Sequence, residues 1–213
     1  SIKSWKDSTD IFNITEKSRI LYSSDNHKSL KIAETLRDDI NYLKGWNLEL
    51  VKSNKPISGD IYLEVSGNTL INNEEYKLNI SKFIQITAPN DTGLFWGTRT
   101  ILQLLKNSNE IKCGSSFDYP DYPERGLMVD VARMFFPIEW LKNYIRELSF
   151  LKMNLLHLHF SDFEAFRLEC ENYPKITSKK HYTKNQIKEF PPMTKLDCSK
   201  IILNWIINEL KNI

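Results

Sequence analysis

Four side chains in one stretch of this 213-residue chain have types and spacing that suit chemistry: Asp130, Arg133, His159 and Asp162. Asp130 interrupts a short apolar run at 126–132; His159 stands near the end of a second run at 155–160, and Asp162 lies just beyond it. Two such runs separated by a helical segment read as strand, helix, strand, which implies a right-handed crossover and a parallel sheet. In parallel sheets the polar groups at the C-terminal strand ends point into the ligand crevice. Two acids, a guanidinium and an imidazole gathered there make a hydrogen-bonding pocket of mixed charge, suited to a neutral polyol or amide.

The intervening elements must position these groups. Pro137 suits a first helical position, and Leu141, Tyr144, Ile145, Leu148, Phe150 and Leu151 then fall roughly at helical spacing, an apolar face that can lie on a sheet. His157 and His159 are two apart on a strand and share one face, with Leu156, Leu158 and Phe160 on the other. The two histidines are expected to be buried and hydrogen-bonded rather than metal-bound, because no further ligand pair stands nearby. Asp130 and Arg133 are expected to pair, since burying either charge alone is costly. Asp162 reads equally as an aspartate that caps the start of a loop.

The order and spacing of several segments resemble glycoside hydrolase family 20, the β-N-acetylhexosaminidases. ERGLMVDVARMFFP, then LHLHFSD, then FRLECENYPKIT are similar to the opening of that family's catalytic barrel, with its RG-x-x-x-D-x-x-RHF and H-x-H-x-x-D-D segments. Upstream, GLFWGTRTILQLL at 93–105 resembles the GLFYGxxTLxQLL segment that closes the family's non-catalytic N-terminal domain. The resemblance covers roughly residues 10–190. It implies that Arg125 of the RG pair hydrogen-bonds sugar hydroxyls; the residues alone also allow a rim salt bridge to Asp130. It implies further that Asp162 supports the catalytic apparatus by bonding a downstream histidine. The expected substrate-binding set is therefore Arg125, Asp130, Arg133 and His159, with Asp162 in support and no catalytic residue; no cofactor or metal is expected. Two departures alter the wall of such a site: Met134 stands where the family has histidine, and Phe163-Glu164-Ala165-Phe166 replaces its D-Q-G-W.

The first half of the chain supplies a scaffold. Leu30, Ala33, Leu36, Ile40 and Leu43 recur at three and four, an amphipathic helix that Gly45 can stop. IYLEV, EYKLNI and FIQITA come next as short strands, then the Asn90-Asp91-Thr92-Gly93 turn offers an N-cap to a helix at 94–105. Strand, helix, several strands and helix make an α+β domain, a sheet with helices on one face. Residues 106–117, with Asn, Ser, Gly and Cys113, read as a linker, and DYPDYP at 118–123 as an extended entry to the second domain. The domains expected are 1–112, α+β and hexosaminidase-like, and 113–213, an α/β segment of an incomplete TIM-like barrel.

Composition narrows the partners. With 29 basic and 27 acidic residues, net +2, and no basic cluster, nucleic acid is not expected. No window approaches the ~18 apolar residues of a membrane span. Cys113, Cys170 and Cys198 fit no metal spacing and are expected reduced. The opening SIKSWKDSTD has neither an apolar signal core nor an initiator methionine, so localisation stays open between the cytoplasm and export with a leader removed.

A (β/α)₈ barrel needs about 250 residues, and less than half that length comes after Pro123. The family's reaction is substrate-assisted: the 2-acetamido oxygen attacks the anomeric carbon, an aspartate orients the amide and a neighbouring glutamate protonates the leaving oxygen. No HxGGDE-like segment bearing that pair occurs in these residues. The expectation is a truncated, inactive hexosaminidase-like chain, with SKIILNWIINELKNI at 199–213 as a helix covering the exposed sheet. The rival expectations are one piece of a split glycosidase, and a sugar-binding or interaction module using Arg125, Phe135, Phe163 and Phe166. An N-acetylhexosamine glycan, and a second copy or complementing chain across the open sheet edge, are the partners expected.

Overall fold

The computed structural model describes residues 2–23, 27–67 and 71–188. The expected helix at 199–213, the Pro191-Pro192 break before it and Cys198 lie outside the described residues. The chain forms two compact units, 1–121 and 122–213.

The first unit is a mixed seven-stranded sheet with two long helices. Its elements are β1 (Lys6–Asn13), β2 (Arg19–Tyr22), α1 (His27–Lys44), β3 (Glu49–Lys52), β4 (Ile61–Val65), β5 (Tyr76–Ile80), β6 (Ile84–Ala88), α2 (Asp91–Asn107) and β7 (Glu110–Asp118). The strand order is β1-β7-β5-β6-β4-β2-β3. β3, β2, β4 and β6 run parallel, whereas β5 pairs antiparallel with β6 and β7, and β7 with β1. The period-2 pattern sorts the side chains: Tyr76, Leu78, Ile80, Ile84 and Ile86 are buried, while Lys77 is exposed and Gln85 and Thr87 stay partly open and donate to Glu64.

Helix α2 is fastened at its start and along its length. The Asn90 side chain caps it, accepting from the N–H of Thr92 (2.9 Å) and Gly93 (3.2 Å). Its two glycines are close-approach residues. A Cβ on Gly93 would stand 2.1 Å from the Glu75 carbonyl oxygen, and one on Gly97 would stand 2.3 Å from Ile86 Cγ2. Arg99, fully buried on this helix, ion-pairs with Asp39 of α1 and lies 4.4 Å from the Phe95 ring centroid, so its charge is answered inside the helical layer.

The segment 106–117 is not a linker. It finishes α2 and forms most of β7, an interior strand paired with β1 on one side and β5 on the other. Gly114, a loop signal by composition, is there because Lys6 O and the Trp5 ring would stand 2.6 and 2.7 Å from any Cβ.

The second unit contains β8 (Gly126–Asp130), α3 (Ile138–Phe150), β9 (Leu155–His159), a 3₁₀ turn (Pro174–Ile176) and α4 (Lys184–Lys188). β8 and β9 form a two-stranded parallel sheet in the register Gly126↔Leu155 to Asp130↔His159. Pro137 occupies the cap just before α3. Leu141, Ile145 and Leu148 of α3 form one core with Leu156, Leu158, Phe160, Leu168, Tyr182 and Ile187. No helix among the described residues is long and apolar enough to cross a membrane.

Gly93→Ala tests the close packing of α2. The helix propensity gained, up to about 1 kcal/mol, opposes a clash with a backbone oxygen, and overpacking of this kind costs about 2 kcal/mol. Urea unfolding should show a net loss of stability; a stabilised variant would mean that α2 stands further from β5.

Candidate active-site face

Register builds the site. Asp130 is the last residue of β8 and stands opposite His159, the last residue of β9. The His159 carbonyl then accepts the N–H of both Val131 (3.1 Å) and Ala132 (3.0 Å), which turns the chain out of the sheet. Arg133 comes next on that turn. Its N–H donates to Asp130 Oδ1 (3.0 Å), and its Nη1 donates to Asp130 Oδ2. The Nε of the same guanidinium lies 3.5 Å from Asp162 Oδ2, so one arginine spans two carboxylates. The Arg133 side chain is 59% exposed, against 20% for Asp130 and 10% for Asp162. The acids are thus the buried anchors, and the guanidinium is the group open to a ligand.

Asp162 caps the loop that follows β9, one of the two roles its position suggested. Its Oδ1 accepts the N–H of Glu164 (2.8 Å) and Ala165 (3.3 Å), closing the loop after β9. Its Oδ2 is buried and accepts no hydrogen bond among the described residues; the Arg133 contact is an ion pair without hydrogen-bond geometry. One ligand atom each from Asp130, His159 and Asp162 lies within 4.8 Å of the others. A cation could bridge that spacing, but Arg133 already brings positive charge to both carboxylates, so the arrangement is an ion-pair network beside an imidazole.

The structure brings together Asp130, Arg133, His159 and Asp162, and leaves Arg125 out. Arg125 precedes β8 and so stands at the N-terminal end of the strand pair, where its Nε donates to Lys152 O (2.8 Å) and its Nη1 to Tyr122 O (2.7 Å). Lys152 has φ 59°, and this left-handed turn from α3 into β9 is stapled by Arg125. Five residues of strand span roughly 16 Å, so the rim salt bridge of Arg125 to Asp130 gives way to these backbone contacts. The histidines also differ from expectation. His157 is exposed and His159 half-buried, because no helix among the described residues packs on their strand face, whereas Leu156, Leu158 and Phe160 face the α3 core.

The aromatics divide as well. Phe135 stacks on Tyr182 (ring centroids 4.9 Å apart), and Phe166 packs against the core, so neither is a free binding surface. Phe163, 88% exposed, stands on the Asp162 turn. Sequence reasoning missed Arg167 and Tyr182, although Arg167 lies in the FRLECENYPKIT segment that carries the resemblance. The Tyr182 hydroxyl donates to Phe136 O (2.6 Å), and burial pushes its pKa up to about 12, so it remains a donor at physiological pH.

Residues 1–119 match the profile of glycosyl hydrolase family 20, domain 2, and residues 122–203 that of the glycosyl hydrolase family 20 catalytic domain. This chain belongs to glycosyl hydrolase family 20. Among its relatives, a beta-hexosaminidase of Porphyromonas gingivalis is 30% identical over 182 residues, 80% of this chain. Beta-hexosaminidase subunit A1 of Dictyostelium discoideum is 41% identical over 110 residues, 49% of this chain. The chain spans 23% and 21% of those two relatives. The β-N-acetylhexosaminidase of Streptomyces coelicolor superposes with a TM-score of 0.77 at 27% identity, over 89% of this chain and 42% of that one.

The Asp130 carboxyl is held below the ordinary carboxylate range, chiefly by the Arg133 backbone N–H and less by its side chain. A depressed folded-state pKa stabilises the turn above the ordinary carboxylate pKa, and that contribution is lost as pH falls through the lowered value. Carboxyl ¹³C titration should therefore find Asp130 depressed, and in Arg133→Ala raised yet still below ordinary, because the N–H survives. A full return to the ordinary value would show that the side chain, not the turn, sets it.

Proposed function

We propose that these residues form the N-terminal domain and the opening βα units of a β-N-acetylhexosaminidase barrel, and that the β8–β9 strand ends hold the terminal N-acetylhexosamine. Arg133 is the sugar-facing group. A planar fork of donors fits vicinal hydroxyls, Asp130 and Asp162 aim it, and His159 lines the same face. The reading rests on one observation: parallel pairing sets Asp130 opposite His159 and lets Arg133 reach Asp162 with its guanidinium still open. Relatives named beta-hexosaminidase support it, as does the Streptomyces plicatus enzyme, whose structure holds the product GlcNAc and which superposes with a TM-score of 0.79 at 25% identity.

Binding and bond cleavage are separated in this reading. The 213 residues contain no HxGGDE-like segment, so by themselves they grip a sugar without hydrolysing it. The strands β8 and β9 pair only with each other among the described residues, and Leu127 and Met128 are 44% and 58% exposed. Bare parallel edges of this kind favour completion by further barrel strands.

Calorimetric titration with N-acetylglucosamine should show binding that weakens about tenfold or more in Arg133→Ala, the loss of hydrogen bonds from a charged donor. Arg125→Ala should leave affinity unchanged and lower the melting temperature. The chain should release no p-nitrophenol from the N-acetylglucosaminide. Unchanged affinity in Arg133→Ala, or turnover that Asp162→Asn abolishes, would contradict the assignment.

A further inference from the structure

Arg167 makes an unusual set of contacts for a half-buried cation. Among the described residues its guanidinium donates only to backbone carbonyls: Nε to Val131 O and Ala132 O (3.2 Å each), Nη2 to Ala132 O (2.9 Å) and Nη1 to Lys180 O (3.0 Å). No carboxylate pairs with it among the described residues. The guanidinium carbon lies 5.8 Å from the Phe135 ring centroid, and Phe135 stacks on Tyr182. Its own backbone is tied in as well, through Arg167 N–H to Phe160 O (2.9 Å) and Tyr182 N–H to Arg167 O (2.8 Å).

The two carbonyls it holds belong to the turn that carries Arg133. Val131 and Ala132 have left the β8 ladder, so their C=O groups have lost strand partners; each orphan acceptor that leaves water needs a donor. Their N–H groups are held by His159 O, and their C=O groups by Arg167. The peptide planes just before Arg133 are thus fixed from both sides. Arg133 itself is mostly exposed and has four side-chain torsions, so the direction of its fork depends on where its backbone is set. An angular error there moves the donors away from any hydroxyl pair they address, and sites of this kind tolerate about 0.5 Å.

We propose that Arg167 is a positioning residue: by clamping the Val131–Ala132 turn from the far side, it sets the direction in which Arg133 presents its guanidinium to a sugar. The sugar arm of this inference rests on the binding role given above to Arg133; the clamp itself does not. Three hydrogen bonds from one charged group to two adjacent carbonyls are more than a loop needs to stay folded, and the Phe160 and Tyr182 backbone bonds would survive loss of the side chain.

Hydrogen exchange in the full chain tests it with Arg167→Met, and with Arg167→Lys as the milder change should the first not fold. The amides of Val131, Ala132 and Arg133 should exchange about tenfold faster or more, while Leu156 and Leu158 in β9 keep their protection. Affinity for N-acetylglucosamine should fall in parallel, with lysine restoring little of it because a single ammonium cannot span both carbonyls. Unchanged exchange at the turn in a folded variant would overturn the clamp. Faster exchange with unchanged sugar affinity would overturn the positioning role. If the parent chain does not bind N-acetylglucosamine, the binding role of Arg133 fails, and exchange at the turn still decides the clamp.

Discussion

One carbonyl group holds the site together. The C=O of His159 takes the N–H groups of both Val131 and Ala132, ending the β8–β9 ladder and bending the chain away from it. Because the strands are parallel and in register, this bend begins directly after Asp130, and the next residue but two is the arginine whose N–H returns to the Asp130 carboxylate. A one-residue slip would turn Asp130 to the opposite sheet face and dismantle the pair. The apolar alternation of Leu156, Leu158 and Phe160 against α3 resists that slip, so the core and the polar cluster are two consequences of the same register.

Charge then decides which group meets a ligand. Two carboxylates, both mostly buried, share one guanidinium, which stays open to solvent. An arginine has five N–H donors, and its ion pairs use only some of them, so donors remain for neutral oxygen acceptors. A neutral polyol suits this arrangement better than a charged substrate, which would compete with one side of the network. The first unit has its own seven-stranded sheet and its own buried Arg99–Asp39 pair.

What could be read from the sequence was what depends on period and local order. Strand ends marked by Asp130 and His159, the pairing of Arg133 with Asp130, and the N-cap at Asn90 all arise from patterns within a few residues. The pairing of Arg125 with Asp130 was not legible because residue type says nothing about which end of a strand a side chain occupies, and Arg125 stands at the opposite end from Asp130. Gly114 misled because a glycine required by the close approach of Trp5 and Lys6 O looks, in composition, like a glycine in a linker. Arg167 and Tyr182 were invisible for another reason. Their partners at Val131, Ala132 and Phe136 lie more than thirty residues away in sequence, and only the return of the chain past β9 brings them together.

The central claim is that a sugar is gripped at the C-terminal ends of β8 and β9. Mapping amide and side-chain NMR shifts during titration with N-acetylglucosamine tests it most directly. The account predicts perturbations concentrated at Asp130, Arg133, His159 and Asp162, with Arg125 and the seven-stranded sheet silent. Shifts centred on Arg125 or on the first unit, or none at the four residues at saturating sugar, would contradict it.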